Sequence, residues 1–316
     1  MKSTSRRDFL KFSACATAGM FVFPPAFGTP LPTQRLFKIS LNPFAVGVSL
    51  RQEEMIDKAV EYGFEAILPV PAQLAEMGTD QRQQFLAKMK AHNLSWDAAG
   101  NPVDFRKDEK LFKEGMATLP KLADALQKSG VTRMSTWIMP THQELTYLEN
   151  FKQHAIRLKE ITEVLRDYDL KLGLEYVGPK TLTSLHKYPF LSSMKQAFEL
   201  INEVNVPNLG IQLDSFHWYC AEETIEDIEA LSNDQIVTCD LNDATAGRTV
   251  AEQIDGEREL PGDSGLVDLK GFIHALKKIG YDGPVRAEPF NAKLNAMDDA
   301  AALAATAKAM KRTADL

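Results

Sequence analysis

Cysteine is scarce in this chain of 316 residues, which has only three, and just Cys220 and Cys239 lie beyond residue 28. So few cysteines exclude a disulfide framework, and an apolar core must stabilise the fold instead. The two cysteines also lack the spacing of a structural zinc site. A glycine-rich dinucleotide turn is missing after the first predicted strand, which argues against an open, doubly wound nucleotide-binding sheet.

Basic residues are outnumbered as well: 36 Lys and Arg stand against 43 Asp and Glu, and the formal net charge is −7. Because the sequence has no basic cluster that would bind a phosphate backbone, we expect no nucleic-acid partner. Beyond the N-terminus no apolar run is long enough to cross a bilayer, so we expect no stable membrane insertion. A homo-oligomer is compatible with the sequence.

The N-terminal 28 residues have the layout of an export signal. Arg6 and Arg7 form a twin-arginine motif, and an apolar stretch that ends in small residues follows. The pattern predicts a twin-arginine signal peptide over 1–28 and a mature chain, 29–316, that is periplasmic or extracellular. An ordinary N-terminal helix or anchor is the alternative. Because 1–28 contains four basic residues and one acidic residue, its removal would change the net charge from −7 to −10.

Apolar runs rich in strand-forming residues alternate with helical periodicities throughout the mature chain. Eight such runs, each followed by a helix-like segment, predict a single-domain α/β fold, the closed (β/α)8 TIM barrel. Continuous apolar runs are typical of parallel strands that helices cover. An open doubly wound sheet is the alternative. The predicted strands are Phe44–Ser49, Phe64–Val70, Leu94–Ala99, Arg133–Met139, Lys171–Val177, Leu209–Phe216, Ile236–Leu241 and Pro284–Phe290.

Four acidic residues stand at the ends of the last four predicted strands: Glu175, Asp214, Asp240 and Glu288. A carboxylate at the end of a core strand is costly to desolvate unless it is paired, hydrogen-bonded or bound to a metal. The carboxyl ends of barrel strands converge on one face, so four acids in this pattern indicate a shared cation. Separate surface salt bridges are the alternative, which is strongest for Asp240.

A series of short motifs follows the same strands. In order, they are LE at 174–175, LDSFH at 213–217, DLND at 240–243, LPGD at 260–263, GYDGP at 280–284 and EPF at 288–290. The series resembles the sugar phosphate isomerase/epimerase family of xylose isomerase-like TIM barrels. The resemblance covers the mature chain and implies one divalent cation, often manganese, bound by Glu, Asp, His and Glu, and a small carbohydrate as substrate.

Carried over by motif, the resemblance implies Glu175, Asp214, Asp240 and Glu288 as the metal ligands. The chain departs from the family at the third ligand, because the family usually has His where Asp240 stands. Asp240 is expected to add a negative charge and a harder oxygen ligand. This favours Mn²⁺, with Mg²⁺ or Co²⁺ as alternatives, over softer metals.

Glu175 and Glu288 are the predicted catalytic pair. The cation would polarise a carbonyl and stabilise the enediolate left when the adjacent C–H proton is removed. One carboxylate would take a proton from one face and the other would return one on another face. Their positions on the fifth and eighth strands suggest room for a substrate between them.

His217, Arg258 and Trp137 are the predicted substrate-binding residues. The resemblance implies that a histidine three residues after the strand-end aspartate binds substrate hydroxyls, which assigns His217. Arg258 would hold a substrate oxygen or carboxylate, with Arg248 as the alternative.

Three aromatic side chains near strand ends could stack on a sugar ring or could serve only for packing. They are Trp137, Trp218 and Phe290.

The leading functional prediction is an exported, metal-dependent sugar isomerase or epimerase that acts on a ketose or keto-sugar. A lyase or dehydratase of keto-sugars or 3-keto-glycosides would use the same enolate chemistry. Export favours that alternative, because sugar phosphates are scarce outside the cytoplasm. A catalytically silent sugar-binding protein is an alternative of another class. The acidic surface disfavours a nuclease.

Overall fold

The structure is a computed structural model that describes residues 34–316, and the predicted signal peptide lies outside the described residues. The strands are β1 Lys38–Leu41, β2 Ala66–Ile67, β3 Ser95–Trp96, β4 Ala99–Gly100, β5 Arg133–Ile138, β6 Thr141–His142, β7 Lys171–Tyr176, β8 Tyr188–Pro189, β9 Leu209–Asp214, β10 Ile236–Asp240 and β11 Pro284–Arg286. The helices are α1 Gln52–Tyr62, α2 Pro71–Glu76, α3 Thr79–Ala91, α4 Glu109–Lys128, α5 Tyr147–Arg166, α6 Lys180–Thr183, α7 Met194–Val204, α8 Ser215–Cys220, α9 Ile225–Glu229, α10 Leu269–Lys278, α11 Ala292–Asn295 and α12 Asp299–Ala314. Within residues 34–316, none of the helices has both the length and the apolar character needed to cross a membrane.

Nine strands form one parallel sheet in the order β3-β2-β1-β11-β10-β9-β7-β5-β4. The two outer strands, β3 and β4, are consecutive parts of one segment, 95–100. Ser95 pairs with Ala66 of β2, and Ala99 pairs with Met134 of β5. The two edges of the sheet therefore meet in a single segment and close the barrel. The predicted (β/α)8 TIM barrel is confirmed. β6 and β8 form a separate antiparallel pair.

The predicted position of the first strand, Phe44–Ser49, is wrong. The strand is Lys38–Leu41, and Phe44–Val46 forms a short 3₁₀ helix. Pro43 cannot donate to a neighbouring strand, and Gly47 has a φ of 79°, in the left-handed region. A Cβ on Gly47 would lie 2.8 Å from the Cα of Asn295, so the close approach of the α11 backbone also requires glycine there.

The helices cover the barrel through apolar faces and start at polar side chains. Asp108, for example, accepts a hydrogen bond from the backbone N–H of Leu111 at 2.9 Å and so caps α4. On α10 the side chains of Phe272, Ile273 and Leu276 are fully buried. This packing of helices on the outside leaves only the two ends of the barrel for polar chemistry, and the carboxyl ends of β7, β9, β10 and β11 form one of them.

Candidate active site

The four strand-end carboxylates meet at the mouth of the barrel. Each can offer one oxygen atom, and these four oxygens all lie within 4.8 Å of one another. Glu175, Asp214 and Asp240 are buried, and Glu288 is partly exposed. Four carboxylates this close repel one another unless a positive charge lies among them.

Burial and crowding raise the pKa values of these groups. For Glu175 burial is the main cause, and the charges of Glu288 and Asp214 raise its pKa further, to well above the usual range. Burial, followed by the charge of Asp240, raises the pKa of Glu288 to about 8. A divalent cation would supply the opposite charge and favour the ionised carboxylates.

Two of the four carboxylates have oxygens largely free to bind a cation. Glu175 accepts one hydrogen bond, from Gln212 Nε2 at 2.8 Å, and the Glu288 carboxylate lies 3.7 Å from Arg258 Nη1. Asp214 is more constrained, because its Oδ2 accepts from Arg258 Nη1 at 2.9 Å. An oxygen-rich set of this kind suits a hard divalent cation. The residues therefore fit a cation bound by Glu175 and Glu288, with Asp214 beside them.

Asp240 is held by an arginine that the sequence analysis did not single out. Arg286 Nε donates to Asp240 Oδ1 at 2.6 Å, and Gln212 Nε2 donates to the other oxygen at 2.6 Å. On its far side, Arg286 Nη1 lies 3.8 Å from Asp97 Oδ1. Burial raises the pKa of Asp240, and the Arg286 guanidinium opposes that effect. Arg286 therefore offsets part of the negative charge that Asp240 is expected to add, and it divides its own charge between Asp240 and Asp97.

The alternation of side chains along a strand could have revealed this second polar layer. Gln212 lies two residues before Asp214, and Arg286 lies two residues before Glu288. Residues two apart in a strand point to the same face, so both side chains enter the barrel just below the carboxylates.

His217 and Arg258 lie together beside the carboxylates. Arg258 Nη2 is 3.2 Å from His217 Nε2 and donates to Asp255 Oδ1 at 2.7 Å. His217 Nε2 is 3.9 Å from Glu175 Oε1. Burial lowers the pKa of His217 to about 3, with the charge of Arg258 as a further cause, so the imidazole is neutral. These two side chains are placed to contact the hydroxyl groups of a ligand in the mouth.

The structure separates the remaining candidates. Arg248 forms an ion pair with Glu257 in a loop, away from the mouth. Trp218 is buried, and its indole nitrogen donates to a backbone carbonyl, so it serves packing. Trp137 and Phe290 are partly exposed at the mouth.

A cavity of about 680 Å³, the mouth cavity, opens above the carboxylates. This volume is typical of small-molecule sites. The oxygens of Glu175 and Glu288 that could bind an ion are too close for a sugar to fit between them, so a substrate would lie in the cavity above. The mouth cavity is lined by Asn42, Phe44, Ala45, Leu68, Gly100, Ser135, Thr136, Trp137, Met139, Glu175, Val177, Leu182, Gln212, His217, Asp255, Arg258, Arg286, Glu288 and Phe290.

The chain matches a family model described as xylose isomerase-like TIM barrel over residues 56–313, well over half of its length. It belongs to this family. The family model therefore includes all four strand-end carboxylates of the mouth.

Three curated relatives of this xylose isomerase-like chain carry enzyme names. Inosose isomerase of Bacillus subtilis (strain 168) is 28% identical over 184 residues, which cover 58% of this chain and 63% of that protein. Ketose 3-epimerase of Arthrobacter globiformis is 27% identical over 194 residues, 60% of this chain and 61% of the relative. The 3-dehydroshikimate dehydratase of Pseudomonas aeruginosa is 32% identical over 102 residues, 32% of this chain and 16% of the relative. The chain thus spans less than two thirds of the length of these relatives.

Solved structures share the barrel over nearly their full length. A xylose isomerase domain protein from Alicyclobacillus acidocaldarius superposes with a TM-score of 0.76 at 25% identity, covering 88% of this chain and 98% of the other. The IOLI protein, solved with a zinc atom bound, gives a TM-score of 0.72 at 22% identity, with the same coverage of 88% and 98%. Both likenesses agree with the closed barrel described above.

Proposed function

We propose that this family member is a divalent-metal-dependent sugar isomerase or epimerase that moves a proton on the carbon next to the carbonyl of a ketose or keto-sugar. The observation that carries the proposal is the pair Glu175 and Glu288: two carboxylates whose oxygens are close enough to share a cation and which border one open cavity. Carboxylates in such a position can act as general acid and general base. The names of the inosose isomerase and ketose 3-epimerase relatives support the same class.

The side chains at the mouth would have separate roles in the reaction. A bound cation would polarise the carbonyl and stabilise the negative charge that develops when the neighbouring proton leaves. Of Glu175 and Glu288, one would remove the proton from carbon and the other would return one. Neutral His217 and the guanidinium of Arg258 would orient the substrate by hydrogen bonds to its oxygens. Asp255 holds that guanidinium in place.

We propose Mn²⁺ as the cation, with Mg²⁺ or Co²⁺ as alternatives, because the donor set is dominated by carboxylate oxygens. The zinc in the IOLI structure supports a divalent ion in this fold without selecting which one. Elemental analysis of protein purified without chelator, followed by competition among the four metals, tests the choice. Preferential retention of zinc over manganese would contradict it.

Solvent deuterium incorporation tests the reaction. Free ketoses and 3-keto-glycosides would be incubated in D₂O with the manganese-loaded mature protein, and the ion removed by chelator before proton NMR. We expect exchange at the carbon beside the carbonyl, lost on prior chelation and in Glu288→Gln, and retained in the surface variant Glu257→Gln. Exchange that survives both chelation and Glu288→Gln would overturn the proposal. Sugar binding without any exchange would instead indicate the catalytically silent binding protein.

A lyase or dehydratase is the second candidate, favoured by the 3-dehydroshikimate dehydratase relative. Such an enzyme would remove the same proton and then expel a leaving group from the next carbon. Analysis of the products separates the two reactions, because an epimerase gives a stereoisomer and a lyase gives an unsaturated sugar with a released fragment.

We also propose that the protein is exported by the twin-arginine route to the periplasm or beyond. The Arg6-Arg7 pair and the apolar stretch that follows support this location. Replacing both arginines with lysine should retain the protein in the cytoplasmic fraction. Equal export of the wild type and the double variant would count against this route.

A further inference from the structure

A second cavity of about 610 Å³, the side cavity, adjoins the mouth cavity. It lies between the loop that follows β4, the end of β5 and helix α5. Trp137 and Met139 line both cavities, so a ligand long enough could extend from one to the other past the Trp137 indole. The side cavity is nearly as large as the mouth cavity, and neither the catalytic pair nor the metal ligands line it.

Two residues that line the side cavity each have one buried polar atom without a hydrogen-bond partner within the described part of the chain. The two atoms are Oδ1 of Asn150 and Nε2 of His154, on side chains that are each 2% exposed. Buried polar atoms are normally paired, so two neighbours on one helix call for an explanation. A ligand that reaches them would supply the missing bonds.

Both atoms are acceptors. His154 Nδ1 lies 2.9 Å from the backbone carbonyl of Asn150, which can only accept, so the ring proton is on Nδ1 and Nε2 has a free lone pair. Burial lowers the pKa of His154 to about 4, which keeps the ring neutral. The rings of Phe105 and Phe190 pack at centroid distances of 5.3 and 4.9 Å and hold it in place. Two fixed acceptors disfavour a phosphate or carboxylate and match the O–H donors of a polyol.

The other groups around the side cavity agree with a neutral, ring-shaped ligand. Arg106 and Lys107 both lie close to Asp104, at 3.4 and 3.1 Å. With Asp108 and Glu144, the described residues of the lining carry three carboxylates against these two cations, so the side cavity does not favour an anion. Trp137 is 44% exposed, and Arg106 stacks on its ring at 4.1 Å and donates to its backbone carbonyl at 2.9 Å. A fixed and exposed indole is suited to pack against the face of a sugar.

We propose that the side cavity binds the second ring of a glycoside, while the ring that carries the carbonyl lies in the mouth cavity. This inference rests on the function proposed above, and it narrows the substrate from a free ketose to a keto-glycoside with at least two rings. Asn150 and His154 would accept hydrogen bonds from hydroxyls of the second ring, and Trp137 would lie beside both rings.

Matched probes with and without the second ring test the inference. The pairs are methyl 3-keto-β-glucoside with 3-keto-cellobiose, and methyl 3-keto-α-glucoside with 3-keto-maltose. Deuterium exchange gives kcat/KM, and calorimetry gives binding, on the metal-loaded mature protein. In at least one pair we expect a preference for the disaccharide of about tenfold, the size of one or two added hydrogen bonds.

Gln153→Trp would fill the side cavity from α5, and Lys152→Trp places the same bulk on the neighbouring position of that helix, outside the cavity lining. We expect Gln153→Trp to abolish the disaccharide preference with the monosaccharide probe unchanged, and Lys152→Trp to preserve it. Asn150→Leu, which removes one acceptor, should reduce the preference in part.

The failures of the two proposals are distinguishable. If kcat/KM and binding were the same for the monosaccharide and the disaccharide of each pair, the second sugar site would be overturned. The proposed proton-transfer function would still stand. Absence of exchange on every probe, with selective disaccharide binding that Gln153→Trp abolishes, would overturn the function and leave the site.

Discussion

The two halves of the barrel differ in what they bring to the mouth. The strands of the second half end in Glu175, Asp214, Asp240 and the nearby Glu288, and buried arginines lie among them. The first half supplies neutral groups to the same cavity, such as Thr136, and the exposed indole of Trp137. The difference suggests that the second half supplies the chemistry, whereas the first half supplies shape and the opening to the side cavity.

The largest expected effect is on catalysis in the second half. Glu175→Gln should lower the rate of deuterium exchange by about 10²–10⁴-fold, because an amide cannot act as the base. Thr136→Val, a change of similar size in the first half, should cost less than about tenfold, the worth of one neutral hydrogen bond. Single-turnover exchange on both variants checks the contrast. If Glu175→Gln and Thr136→Val lowered the exchange rate by similar factors, the catalytic groups would not be confined to the second half of the barrel.

A stability effect should follow from removing the arginine of the Asp240–Arg286 pair. Arg286→Met leaves Asp240 and Asp97 buried without their counter-charge, and should lower the free energy of unfolding by about 3–5 kcal/mol. Combining it with Asp240→His replaces the buried carboxylate by a neutral imidazole and should recover much of the loss. Urea denaturation of the single and double variants measures both. If the double variant were no more stable than the single one, charge balance would not be the reason for the pair.

In the first half, a pH effect should come from His154. Its pKa is lowered by burial to about 4 in the folded state, against an ordinary value of 6.5. The unfolded chain therefore binds the proton first as the pH falls. The stability that neutral His154 provides is present above pH 6.5 and is lost towards pH 4, up to roughly 3 kcal/mol. His154→Gln should flatten this part of the stability profile relative to the wild type.

The smallest expected effect is at Trp137. Because the indole is exposed and its stacking with Arg106 is worth about 0.5–1 kcal/mol at such a site, Trp137→Ala should lower the free energy of unfolding by about 1 kcal/mol at most. The Trp137→Ala variant should lose more of its affinity for disaccharide probes than of its affinity for monosaccharide probes. A loss of stability as large as that of Arg286→Met would show that Trp137 is part of the core.

The barrel could be predicted from the sequence because each buried parallel strand is a continuous apolar run between helical segments. The first strand is misplaced by that pattern because Phe44-Ala45-Val46 is as apolar as a strand, and only Pro43 and Gly47 mark it as a turn. Closure through the divided segment 95–100 depends on pairing with two strands at once. A linear pattern does not contain that pairing.

The carboxylates of the site could be predicted because strand ends are visible in a sequence. Alternation along the strands could also have placed Gln212 and Arg286 inside the barrel. The pairing of Arg286 with Asp240 could not be predicted, because it depends on the register of β10 and β11, in which these two residues are directly opposite. The side cavity escaped prediction for a similar reason, since its free acceptor on His154 is held by the packing of α5 against Phe105 and Phe190, which are distant in sequence.

The position of Asp97 limits the order in which the Asp240–Arg286 pair could have evolved from an ancestor with a histidine at position 240. An arginine that arose first at position 286 would have found Asp97 as a partner, so the intermediate keeps its charges matched. An aspartate that arose first at position 240 would have been buried without a cation. Among relatives, we therefore expect chains that combine a histidine at position 240 with an arginine at position 286, whereas an aspartate at 240 without a basic residue at 286 should be rare.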